Sequence, residues 1–140
     1  MKILSKILSL SLVLFFSNCS SSKKVATPNF EVHFSAQNRG YSEIIDFSKN
    51  NLHLKTTREE KTVVLSTKQL SSIQEALSEI NLSEIASLKA PSEKRIYDGA
   101  MTAIIIIKKG NETFTSSGFD HDNPPKELTS LVSLLRTYLK

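Results

Sequence analysis

One short run gathers side chains that acid–base chemistry uses, Asp120-His121-Asp122. Histidine titrates near neutral pH, and a neighbouring carboxylate can orient its ring. Adjacency alone makes neither a general base nor a metal site. The side chains must converge, and further ligands or a nucleophile must join them. The other histidines, His33 and His53, fall in distant alternating segments, and nothing in the sequence brings them to His121. The run leads into Asn123-Pro124-Pro125, which halts a strand and starts a helix. Asp120, His121 and Asp122 are therefore expected to shape a loop, with a weak hydrolase or ion site as the chemical alternative. A second polar loop, Ser92 to Gly99, holds Tyr97 and the turn-forming pair Asp98-Gly99. Tyr97, Asp98, Asp120, His121 and Asp122 are thus the candidate partner or ligand residues. The chain has no Gly-x-Ser-x-Gly elbow, phosphate loop or paired cysteines, and too few glycines for a backbone phosphate cradle. The expectation is a non-enzymatic protein with no catalytic set, metal or cofactor.

The remaining reactive side chain is the sole cysteine, Cys19, which rules out an intrachain disulfide. It follows a short basic segment, Met1 to Lys6, and an apolar run, Ile7 to Phe16. That run is too short to span a bilayer and fits a signal peptide. Ser17 and Asn18 are small or short, so an extended chain can enter a peptidase site there. Residues 1 to 19 resemble a bacterial lipoprotein signal, in the looser form seen in Bacteroidota, with Phe16 where Leu is usual and Asn18 where Gly or Ala is usual. The resemblance implies cleavage before Cys19 and acylation of Cys19, tethering the protein to the lipid bilayer. Ser20 rather than Asp after the cysteine implies delivery to the outer membrane. A thiol capped by lipid is also no liability in an exported chain. Ser20 to Pro28 is polar without apolar period and reads as a flexible tether. The expected division is a leader over 1–18, a tether over 19–28 and one domain over 29–140.

The basic character of the chain does not point to nucleic acid. The formal charge is +4, but the leader carries Lys2 and Lys6, and 16 basic against 14 acidic side chains remain. Lys23 and Lys24 fall in the tether, so the folded part is near neutral and the basicity lies mostly outside it.

Alternating strands and two helical stripes position these loops. Phe30 to Ser35 alternates, with Phe30, Val32 and Phe34 on one face. Tyr41 to Phe47 places Tyr41, Glu43, Ile45 and Phe47 together and Ile44 opposite. Asn38-Arg39-Gly40 and Lys49-Asn50-Asn51 are turns, the second using asparagine's tolerance of positive φ. Leu52 to Thr57 and Thr62 to Leu65 complete a meander. The period then changes. Ser66 and Gln69 match a capping box, and Leu70, Ile73, Leu77 and Ile80 form a helical stripe ending near Asn81. Leu82, Ile85 and Leu88 repeat the spacing in a shorter segment. Ala100 to Gly118 reads as a hairpin about Lys109-Gly110-Asn111. Its run Ile104 to Ile107 is apolar on both faces, which predicts a central strand. Asn123 is placed to cap the last helix, with a proline in its first turn, and Leu128, Leu131, Val132, Leu135 and Leu139 form its stripe.

Two amphipathic helices need one surface to cover. The fold class is therefore α+β, an antiparallel sheet of about five to six strands with two helices on one face, in the order ββββ-α-ββ-α. One isoleucine set is left over, and a curled sheet, the Leu82–Leu88 segment, a second subunit or a ligand could bury it. This order of elements, with Ser66 to Ile80, Asp98-Gly99, Ile104 to Phe114 and Pro124 to Leu139, resembles small uncharacterised lipoproteins of Bacteroidota. No activity follows from that likeness. The expected function is a binding or protein-interaction domain held in the bacterial cell envelope with an envelope protein as partner. The alternative is an inhibitor or immunity-like protein of an exported hydrolase. Dimerisation through the second face of the isoleucine strand is the oligomeric option.

Overall fold

The computed structural model describes residues 30–140. The leader, Cys19 and the expected tether lie outside the described residues. The elements are β1 (Phe30–Gln37), β2 (Ser42–Ser48), β3 (Asn51–Thr56), β4 (Glu60–Val64), α1 (Thr67–Ser78), β5 (Thr102–Lys109), β6 (Glu112–Thr115), β7 (Phe119–Asp120) and α2 (Lys126–Thr137). They form one antiparallel sheet in the order β4-β3-β2-β1-β5-β6, with β7 also paired to β5. The α+β class holds, and the order is ββββ-α-βββ-α. The seventh strand arises because the chain returns to β5 after leaving it at Thr115. β6 pairs with Ile106–Lys109, and β7 takes the same edge at Thr102 and Ala103. A two-residue strand carries no readable alternation, so the loop residues Phe119 and Asp120 hid it.

Register explains the inner face. Val32 lies between Phe47 and Ile107, and Phe34 lies between Ile45 and Ile105. Leu52 and Leu54 extend these rows to β3. Ile73, Ala76 and Leu77 of α1 and Leu128, Leu131, Val132 and Leu135 of α2 close over them in one core. Each fully buried aliphatic side chain contributes roughly 1.5–3 kcal/mol. Ile105 and Ile107 belong to this core, whereas Ile104 and Ile106 point away from the helices and are half-buried. The Leu82–Leu88 segment is a separate 3-10 turn, Leu82–Ser87, whose Ile85 joins the same inner core. It does not cover the second isoleucine set.

Three local expectations need correction. α1 keeps its Ser66–Gln69 capping box but ends at Ser78, because Ile80 turns into the core and Asn81 begins the 3-10 turn. Asn123 does not cap α2. Pro125 occupies the cap position, just outside the first turn, and the Asn123 amide is spent on Ser92. In the β2–β3 turn the positive φ, 58°, falls on Lys49 rather than on an asparagine. Pairing of Ser48 with Asn51 leaves Lys49 and Asn50 as the two turn residues, and inward Phe47 and Leu52 fix that register.

Candidate functional site

The two candidate loops form one unit at one end of the sheet. The ladder of β7 on β5 places Asp120 beside the loop that precedes β5, with its side chain fully buried. Its Oδ2 accepts from Ser92 Oγ at 2.6 Å and from the Lys94 amide at 2.8 Å. Its Oδ1 accepts from the Arg95 amide at 3.0 Å and from Arg95 Nη1 at 3.2 Å. Nη1 also donates to the Ser92 carbonyl at 2.7 Å. Asn123 Nδ2 donates to Ser92 Oγ at 2.9 Å and ties in the far side of the loop. A carboxylate has about four acceptor positions, and all four are used. Burial alone would push the Asp120 pKa up. The bonds from Ser92, Arg95 and Lys94 outweigh it and hold the carboxyl well below the usual range, so the group stays ionised.

This clasp fixes a 3-10 turn, Lys94–Tyr97. Asp98 follows at φ 60°, and the Gly99 amide closes on the Lys94 carbonyl at 2.8 Å. A Cβ on Gly99 would stand 2.9 Å from the Tyr97 ring and 3.2 Å from that carbonyl, so a larger residue there would shift the exposed Tyr97 ring and crowd the turn. The turn carries Ile96 and Tyr97 with 70% and 72% of their surface exposed, although both could bury large apolar area.

Asp120 points away from its two neighbours, while His121 Nδ1 and Asp122 Oδ1 stand 3.9 Å apart. Asp120 faces the clasp. His121 donates its amide to the Met101 carbonyl, and its Nδ1 accepts from the Met101 amide at 3.2 Å, which places the ring proton on Nε2. Asp122 faces solvent, 3.8 Å from Lys94 Nζ, a separation worth little at the surface. Among the described residues no group of three or more metal-ligating side chains converges. Tyr97 and Asp98 stand on the exposed turn.

The second candidate surface is the outer sheet face. His33 and His53 lie there, with Asp46 directly between them in register. His33 Nδ1 is 2.6 Å from Asp46 Oδ1. His53 turns the other way, to Thr62 Oγ1 at 2.9 Å and Glu60 Oε1 at 3.2 Å. A shallow groove of about 440 Å³ runs past Glu31, His33, Asp46, Ser48, Ile106 and Lys108. It is mixed in character, with Ile106 set among charged and polar side chains.

Comparison with protein-family models, curated proteins and solved structures finds no match. The site therefore rests on its own geometry.

Sequence reasoning missed Ser92, Lys94 and Arg95 as partners of the Asp120 carboxylate, and Asn123 as a partner of Ser92. The contacts span up to 31 residues, and no local period marks them. It also missed Arg136, whose Nε and Nη2 meet Glu43 at 3.3 and 2.7 Å while Nη1 donates to the His121 carbonyl. Glu43 shares the inward face of β2, and an inward charge was the signal that a buried partner was needed.

Proposed function

We propose that this chain is a membrane-tethered, non-enzymatic binding domain of the bacterial cell envelope, acylated at Cys19, with the 92–99 turn as its contact surface. The observation that carries the reading is the exposure of Ile96 and Tyr97 on a turn held by the buried Asp120 clasp. Rigid exposed aromatic and aliphatic side chains bind at low entropic cost. The placement of the turn supports the same reading. Phe30 pairs with Lys109 at one end of β1, and Gln37 pairs with Thr102 at the other. The chain from Cys19 joins the sheet at the Phe30 end. The turn lies beside Gln37, about 23 Å away along an eight-residue strand. An anchor at Cys19 leaves the turn on the side facing away from its bilayer.

A second reading uses the same surface. An inhibitor or immunity-like protein needs an ordered turn that enters an enzyme cleft without collapsing, and the clasp supplies the order. Asp120 is taken up by the clasp and His121 Nδ1 by the Met101 amide, which lends no support to a hydrolase.

Photo-crosslinking in intact envelopes tests the reading. A photoreactive phenylalanine analogue in place of Tyr97 is expected to give a discrete crosslinked species. The same analogue in place of exposed Lys55 on β3 is expected to give none. Equal patterns at the two positions would remove the turn as the contact surface. A captured hydrolase whose activity falls on binding would select the inhibitor reading.

A further inference from the structure

Arg95 is held by one edge and left open along the other. Its Nη1 donates to the Ser92 carbonyl and to Asp120, and its own amide is clasped by the same carboxylate. The guanidinium is thereby fixed in place. Its Nε and Nη2 make no hydrogen bond among the described residues. They are not sealed away either, since no buried side-chain nitrogen there lacks a partner and the Arg95 side chain is 18% exposed. Arg95 lines a groove of about 510 Å³ together with Gln37, Asn38, Arg39, Asp98 and Thr102. Nε and Nη2 together form the planar fork that grips a carboxylate in two parallel bonds. The chain uses that same fork elsewhere, where Arg136 Nε and Nη2 hold Glu43.

We propose that the Arg95 fork, with Arg39 beside it, is a carboxylate-binding subsite for an acidic side chain of a protein partner. Ile96 and Tyr97 contact the apolar neighbour of that side chain. The proposal deepens the binding reading above and rests on the turn being the contact surface. Asp98 now occupies part of this space. Its Oδ2 is 3.9 Å from Arg39 Nη2, and both side chains are strongly exposed, so that pair is weak. A ligand carboxylate displaces Asp98 from Arg39. Removing the Asp98 charge therefore tightens binding, an effect that a purely structural turn would not show.

The test is a titration of the full chain in detergent, ¹⁵N-labelled at arginine, followed through the Arg95 Nε–H resonance. Arg95→Lys identifies that resonance by its loss. The probe is acetyl-Gly-Glu-Leu-Gly-amide, with acetyl-Gly-Gln-Leu-Gly-amide and inorganic phosphate as comparisons. The Glu peptide is expected to shift the resonance saturably at millimolar concentration, and the Gln peptide to bind roughly tenfold more weakly. Arg39→Ala weakens the Glu peptide severalfold, and Asp98→Asn, which tolerates the positive φ, strengthens it. No shift, an equal response to the two peptides, or a response to phosphate alone overturns the proposal. Loss of acylation at Cys19 would leave this titration unchanged. Crosslinking at position 97 without any peptide response would retain the binding surface and remove the subsite.

Discussion

At the scale of single residues, Asp120 connects segments that sequence separation hides. One buried carboxylate accepts from three residues of the 92–95 segment, so removing it strands several donors at once. Asp120→Asn replaces one acceptor oxygen by a donor facing other donors. It is expected to cost roughly 3–5 kcal/mol at neutral pH, measured by urea unfolding. The pH dependence has a definite sign. The folded carboxyl titrates lower than an unfolded one. Its contribution is full above about pH 5, falls once pH drops through the ordinary value near 4, and is gone only below the depressed folded value. The gap between wild type and Asp120→Asn therefore narrows from pH 7 to pH 3; a constant gap would mean the carboxylate is not selectively held. Lys49 is the opposite case, a residue working against its backbone. At φ 58° a side chain is strained, so Lys49→Gly is expected to stabilise by about 0.5–1 kcal/mol in the same assay.

At the scale of elements, what could be read in advance follows from periodicity. β1, β3, α1 and α2 carry clean alternation or helical stripes, and their inward residues are the core observed. The Ser66–Gln69 capping box is a local motif and was equally legible. β7 and the Asp120 clasp were not, because two residues show no period and the clasp joins segments about 25 residues apart. Ile104 to Ile107 is the intermediate case. The sequence says that two faces are apolar but not which face the helices take. Register decides it, since Ile105 opposes Phe34 and Ile107 opposes Val32. Ile105→Ala is therefore expected to cost 2–5 kcal/mol and Ile106→Ala about 1 kcal/mol, by the same unfolding measurement. Near-equal losses would mean that the outer face is covered in solution, as in a dimer through that face, and sedimentation would then show the doubled mass.

At the scale of the whole molecule, the proposal turns on where the chain is fastened. Ten residues separate Cys19 from Phe30, and ten residues reach at most about 35 Å when fully extended. On the proposal, an anchor at Cys19 keeps the Phe30 end of the sheet nearer the bilayer than the far end. Two measurements follow from the chemistry of that one cysteine. Acylation consumes its thiol, so the mature native protein, denatured, is expected to take up no maleimide. One reactive thiol in a chain beginning at Cys19 would remove the anchor. With the native thiol consumed, a single introduced cysteine is the only label site. Asn111→Cys sits in the β5–β6 turn at the Phe30 end, and Tyr97→Cys sits on the clasped turn. Energy transfer to an acceptor in the lipid headgroups is expected to be more efficient from position 111 than from position 97. The reverse order would put Ile96 and Tyr97 against the membrane, and their exposed surface would then serve lipid instead of protein.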